Sequence, residues 1–66
     1  MKITLNGLEQ EAADQMTLLE LLEKNGFQGK RVAVEVNRRI VPRSVHAEHR
    51  IEDGDHIEIV HAIGGG

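Results

Sequence analysis

The chain has 66 residues, a net charge of −3, one Phe, and no Trp, Tyr or Cys. That length makes a single domain burying about 60 % of the surface its unfolded form exposes, around an aliphatic core. The missing cysteines exclude a disulfide scaffold, a Cys-ligated zinc site and a thiol nucleophile; with no signal-peptide pattern and no run near the roughly 20 apolar residues of a membrane span, a soluble cytoplasmic protein is expected.

At the N-terminus, Ile3 and Leu5 alternate with Lys2 and Thr4, the period-2 pattern of a half-buried strand. Asn6-Gly7 is a strong hairpin signal, because both central residues of a type I′ turn need positive φ. The chain should return as an edge strand from Leu8 to about Ala12. In "MTLLELLEKNG", Thr17 and Glu20 make an S/T-x-x-E capping box, and Met16 and Leu21 occupy the positions of a hydrophobic staple. Leu18, Leu19, Leu21 and Leu22 give the helix an apolar stripe, and Gly26 stands where a left-handed stop is wanted.

Val32, Val34 and Val36 alternate with Ala33 and Glu35 in a β-branched strand. Asn37-Arg38-Arg39 is predicted to turn the chain, and Pro42 confines "IVP" to an edge or a strand end. "RSVHAEHRIEDG" reads as irregular, with residues 52–55 as a turn. "HIEIVHAI" is the last strand, with Ile57 and Ile59 facing one way and Glu58 and Val60 the other. The order predicts a two-layer α+β domain over residues 1–63, a mixed sheet of four to five strands packed on one main helix. Residues 64–66 are left as a flexible Gly-Gly-Gly tail.

Few residues suggest chemistry within the domain. No glycine cluster lies between a strand and a helix, so a nucleotide-binding loop is not expected. His46, His49 and His61 have no spacing that enforces a metal site, and solvated imidazoles account for them. Ser44 near His46 and His49 lacks a nucleophile-elbow pattern. Asp53 and Asp55 flank Gly54 and suit the local hydrogen bonds of a turn. All five arginines (Arg31, Arg38, Arg39, Arg43, Arg50) fall within residues 30–50, but almost no aromatic side chain is available to stack unpaired bases, so nucleic acid is not expected as a partner. The tail is different. A terminal glycine carboxyl has no side chain beside it, so it can enter a channel where any Cβ would clash, and three extended residues reach about 10 Å.

The strand order, "EDGDHIEIV" before the last strand, "VNRRIVPR" at residues 36–43 and the Gly-Gly ending together resemble the ThiS family of ubiquitin-like β-grasp sulfur carriers. The resemblance implies a protein co-substrate in thiamine (thiazole) biosynthesis, not an enzyme. Its terminal glycine, here Gly66, is adenylated by a ThiF-type, E1-like enzyme using ATP. The product becomes a thiocarboxylate, with sulfur from a donor such as a cysteine desulfurase, and delivers that sulfur to thiazole synthase (ThiG). Gly65 and Gly64 would let the tail thread into the partner sites, and no cofactor stays bound to the carrier. Alternation places Ala33, Glu35, Glu58 and Val60 on the sheet face away from the helix, the candidate docking face, with the arginines of 38–43 adding electrostatic steering. A carrier that visits two enzymes is expected to be a monomer when free. The alternatives are the molybdopterin synthase small subunit, whose relatives tend to carry prolines before the final glycines, a ubiquitin-like protein modifier, and a plain β-grasp binding module.

Overall fold

The computed structural model describes residues 1–61. Residues 62–66, which include the end of the expected domain and the tail expected at 64–66, lie outside the described residues. The elements run β1 (Lys2–Leu5), β2 (Leu8–Glu11), α1 (Leu18–Lys24), β3 (Val32–Val36), β4 (Arg39–Ile40), a 3₁₀ turn (Arg43–Val45) and β5 (His56–His61). They form one five-stranded mixed sheet in the order β2-β1-β5-β3-β4.

The β1–β2 hairpin forms where Asn6-Gly7 predicts it. Asn6 and Gly7 have φ of 52° and 84°, and Leu5 pairs with Leu8 across them. The β3–β4 hairpin has the same geometry with less favourable residues. Val36 pairs with Arg39 across Asn37 (φ 52°) and Arg38 (φ 71°). Arg39 is therefore in the strand and not in the turn as expected. The turn takes two residues because Arg38, without help from glycine, accepts a left-handed conformation.

The helix satisfies all its N-terminal amides and closes its C-terminus with a glycine stop. Thr17 Oγ1 accepts from the Glu20 amide at 3.2 Å, and the Glu20 carboxylate accepts from the Thr17 amide at 2.9 Å, so the capping box closes. The two remaining N-terminal donors go to the long crossover: Leu18 N–H to the His49 carbonyl at 2.9 Å and Leu19 N–H to the His46 carbonyl at 3.1 Å. At the other end, Phe27 N–H donates to the Leu22 carbonyl and Gly26 N–H to the Glu23 carbonyl, with Gly26 at φ 84°. That is a Schellman motif, and Phe27 folds back to pack beside the core.

Leu18, Leu21 and Leu22 cover Ile3, Leu5, Val34, Val36, Ile57 and Ile59 from the sheet, with Ala12, Val41 and Ile51 closing the margins. The crossover, expected to be irregular, is ordered by this arrangement. Its 3₁₀ turn and its bonds to the start of the helix hold Ile51 in the core. His46 corrects the reading of solvated histidines. It is 4 % exposed, and its Nε2–H donates to the Val41 carbonyl at 2.9 Å. An unpaired buried carbonyl would cost about 1–3 kcal/mol, so His46 is a structural residue. Ser44 is exposed on the 3₁₀ turn, and the His46 ring is turned away to Val41.

Two substitutions test this account by urea denaturation. Thr17→Ala should cost about 1 kcal/mol by opening the capping box. Arg38→Gly should raise stability by roughly 0.5–1 kcal/mol, because glycine relieves the left-handed position while leaving the two-residue turn intact.

Candidate docking face and C-terminal strand

The strand that leads into the terminal glycines lies in the middle of the sheet. β5 runs parallel to β1 (Thr4 opposite His56, Leu5 opposite Ile57) and antiparallel to β3, from Val36 opposite Ile57 to Val32 opposite His61. Two asparagines in matching left-handed turns clamp it from both sides. On the β1 side, Asn6 N–H donates to the Ile57 carbonyl at 2.8 Å and its Oδ1 accepts from Ile59 N–H at 2.7 Å. On the β3 side, Asn37 N–H donates to the His56 carbonyl at 2.8 Å and its Oδ1 accepts from His56 N–H at 2.9 Å. Asparagine tolerates the left-handed region and carries an amide that extends a ladder past the end of its own strand.

The Asn37 side chain also donates to Asp55 Oδ1 at 2.9 Å, while Asp55 Oδ2 accepts from Glu52 N–H at 2.9 Å. Asp53 Oδ1 accepts from Lys2 N–H at 2.8 Å. Asp55 makes the local turn bond that its place beside Gly54 predicts, whereas Asp53 reaches out of the turn to β1. Asp55 is the buried one, and it joins that turn to the β3–β4 hairpin.

The four residues proposed from alternation meet on the face opposite the helix. Ala33 lies directly across from Val60, and Glu35 across from Glu58, so they form a compact block on the two central strands. Val60 is 58 % exposed, Ala33 and Glu58 are exposed, and Glu35 is half-buried. Alternation alone missed the block's neighbours. Ile40, 71 % exposed, pairs with Glu35 and extends the apolar surface across β4. On the other flank His56 Nδ1 and Thr4 Oγ1 share a hydrogen bond of 2.9 Å. The two-residue turn sets Ile40 opposite Glu35, and the parallel β1–β5 pairing sets Thr4 opposite His56. Neither was legible, since Arg38 gives no signal for a left-handed turn and strand order is a tertiary property.

A shallow depression of about 400 Å³ opens on this face between Glu35, Asn37, Arg38, His56 and Glu58. Glu35 and Glu58 face each other with like charge, an arrangement that does not favour the isolated sheet. Arg38 lines the same depression, while Arg31, Arg39 and Arg43 lie exposed outside it. Arg50 is spent on the domain, donating to the Gln15 carbonyl and side chain at 3.2 and 3.1 Å. Of the other histidines, His61 sets its ring 6.0 Å from Phe27, and His49 is half-buried in the crossover. Among the described residues no three His, Cys, Asp or Glu side chains converge as metal ligands, and no helix is long and apolar enough to cross a membrane.

The model of the ThiS family matches residues 3–66, which takes in both sides of the clamp, the open face and all three terminal glycines. The chain belongs to the ThiS family. The sulfur carrier protein ThiS of Escherichia coli is 36 % identical over 66 residues that cover the whole of both chains. The crystal structure of a thiamine biosynthesis protein (ThiS) from Geobacter metallireducens superposes with a TM-score of 0.87 at 30 % identity, again covering all of both chains. The fold is thus the ubiquitin-like β-grasp that the resemblance implied, with five strands. A protein named thiazole synthase from Paramagnetospirillum magneticum contains a stretch 46 % identical to the entire chain, and one from Magnetococcus marinus a stretch 44 % identical. In those two proteins the chain spans only 20 % of the length.

Replacing either clamp residue separates its contribution. Asn6→Ala should expose the Ile59 amide and Asn37→Ala the His56 amide to fast hydrogen exchange. Each should cost about 1–3 kcal/mol in urea unfolding, from the unpaired ladder groups and a left-handed alanine.

Proposed function

We propose that this chain is a sulfur carrier for the thiazole part of thiamine, acting as a protein co-substrate of other enzymes. The observation that carries the reading is the ThiS family match, which runs through the glycines to Gly66. The homologous stretch within two thiazole synthases supports the pairing with that enzyme, since parts joined in one chain meet without diffusing together.

The chemistry is a carboxyl activation. A ThiF-type adenylyltransferase joins the Gly66 carboxylate to the α-phosphorus of ATP, and pyrophosphate leaves. The persulfide of a sulfur donor such as a cysteine desulfurase attacks the acyl-adenylate and displaces AMP, and a thiol then reduces the resulting acyl disulfide, leaving a thiocarboxylate for thiazole synthase. The chain's one reacting group in this sequence is the Gly66 carboxylate, the nucleophile in the first step and the acyl group in the second. Gly64 and Gly65 keep the approach to Gly66 free of side chains, so that the carboxyl passes where a Cβ would clash. β5, clamped on both sides, ends at His61 as a fixed base before that segment, and the face of Ala33, Glu35, Glu58 and Val60 docks on the enzyme. Ordering the terminal residues costs on the order of 1–2 kcal/mol each, which contacts at the face offset.

The decisive test is the intact mass after incubation with ATP, magnesium, the adenylyltransferase and a sulfur donor. The full chain should gain the difference between sulfur and oxygen, and a variant lacking Gly66 should not. An unchanged mass with enzymes shown to be active would end the reading. Val60→Asp, on the exposed face, should leave urea stability within about 0.5 kcal/mol and slow both adenylation and thiazole formation; normal rates in both would remove the docking role from this face.

A further inference from the structure

Backbone groups along a strand point alternately to its two neighbours. In β5 the His56 carbonyl faces β3, where it accepts from Asn37, whereas the Ile57 carbonyl faces β1, where it accepts from Asn6. The groups of Glu58 and Val60 therefore point to β3, and those of Ile59 and His61 to the β1 side. On that side β1 ends at Leu5, and the Asn6-Gly7 turn carries the chain away into β2. The Asn6 side chain extends the ladder by one bond, to Ile59 N–H, and stops. Among the described residues no group then meets the Ile59 carbonyl or the His61 amide. Among the described residues, half of β5 is thus an open strand edge inside a sheet, although β5 itself is a central strand.

We propose that this edge is a strand-addition site, filled by an extended segment of the enzyme that receives the terminal residues. The inference rests on the carrier reading above and names how the enzyme grips the chain. Three observations choose the occupant. The carbonyl of Ile59 and the amide of His61 are an acceptor and a donor at strand spacing, which an extended backbone matches in either direction. Val60, between them, is 58 % exposed, and an added strand would cover its flank. Residues 62–66 follow His61 directly in sequence, so an enzyme that receives the terminal residues comes up beside this edge.

Amide hydrogen exchange on the labelled full chain, free and saturated with thiazole synthase, tests the assignment. In the free protein the amides of Glu58 and Val60, paired with β3, and of Ile59, paired with Asn6, should exchange slowly, and that of His61 fast. In the complex the His61 amide should slow by roughly tenfold or more. His61→Pro deletes that donor without touching the bonds to β3, and His61→Ala controls for loss of the ring beside Phe27. The proline variant should bind the enzyme roughly tenfold more weakly than the alanine variant. A His61 amide that stays fast in the complex, or equal binding by the two variants with equal urea midpoints, overturns the strand-addition site while leaving the carrier reading in place. If the wild-type chain neither binds thiazole synthase nor gains sulfur, the carrier reading fails, and this inference falls with it.

Discussion

The placement of β5 between β1 and β3 is the constraint on which the rest of the molecule depends. It pairs parallel with the first strand and antiparallel with the third, so the last described strand joins the β1–β2 hairpin to the β3–β4 hairpin. A one-residue slip would turn Ile57 and Ile59 out of the core and Glu58 into it, which both neighbours oppose. The asparagines at positions 6 and 37 reinforce the register by bonding β5 where β1 and β3 end. The direction in which the chain leaves at His61 is thereby set by the whole sheet and not by local propensity.

A core this small covers only one side of that sheet. The single short helix spans the inner face, and its termini are satisfied partly by the crossover that follows β4. The crossover could not be spared: it caps the helix, holds His46 inside and carries Ile51 into the core. Among the described residues nothing covers the outer face, where Val60 and Ile40 stay exposed beside a like-charged glutamate pair. For an isolated domain that is a modest cost in stability. For the carrier role proposed above it is an accessible surface next to the strand that leads into the terminal residues.

Local chemistry explains which parts of the fold and site were legible. Asn6-Gly7, the Thr17–Glu20 box and Gly26 are signals whose physics acts within a few residues, and each formed as expected. The valines of β3 and the isoleucines of β5 alternate, and alternation alone is enough to assign Ala33, Glu35, Glu58 and Val60 to one face. Arg38 shows the opposite case, since an arginine at φ 71° is imposed by the hairpin and not announced by the residue. His46 shows another. Its burial follows from a Val41 carbonyl that needed a donor, a demand visible only once the crossover is in place.

By itself, the sequence determined the helix and its caps, the alternating strands, the glycine ending and the family pattern, because these depend on neighbours in the chain. Tertiary structure decided which strands touch, that Ile40, His56 and Thr4 border the open face, and that β5 keeps a free edge beyond Leu5. Those are consequences of strand order and of where β1 happens to stop. Strand order is chosen by the burial of all the apolar faces together, and that is a property of no single segment.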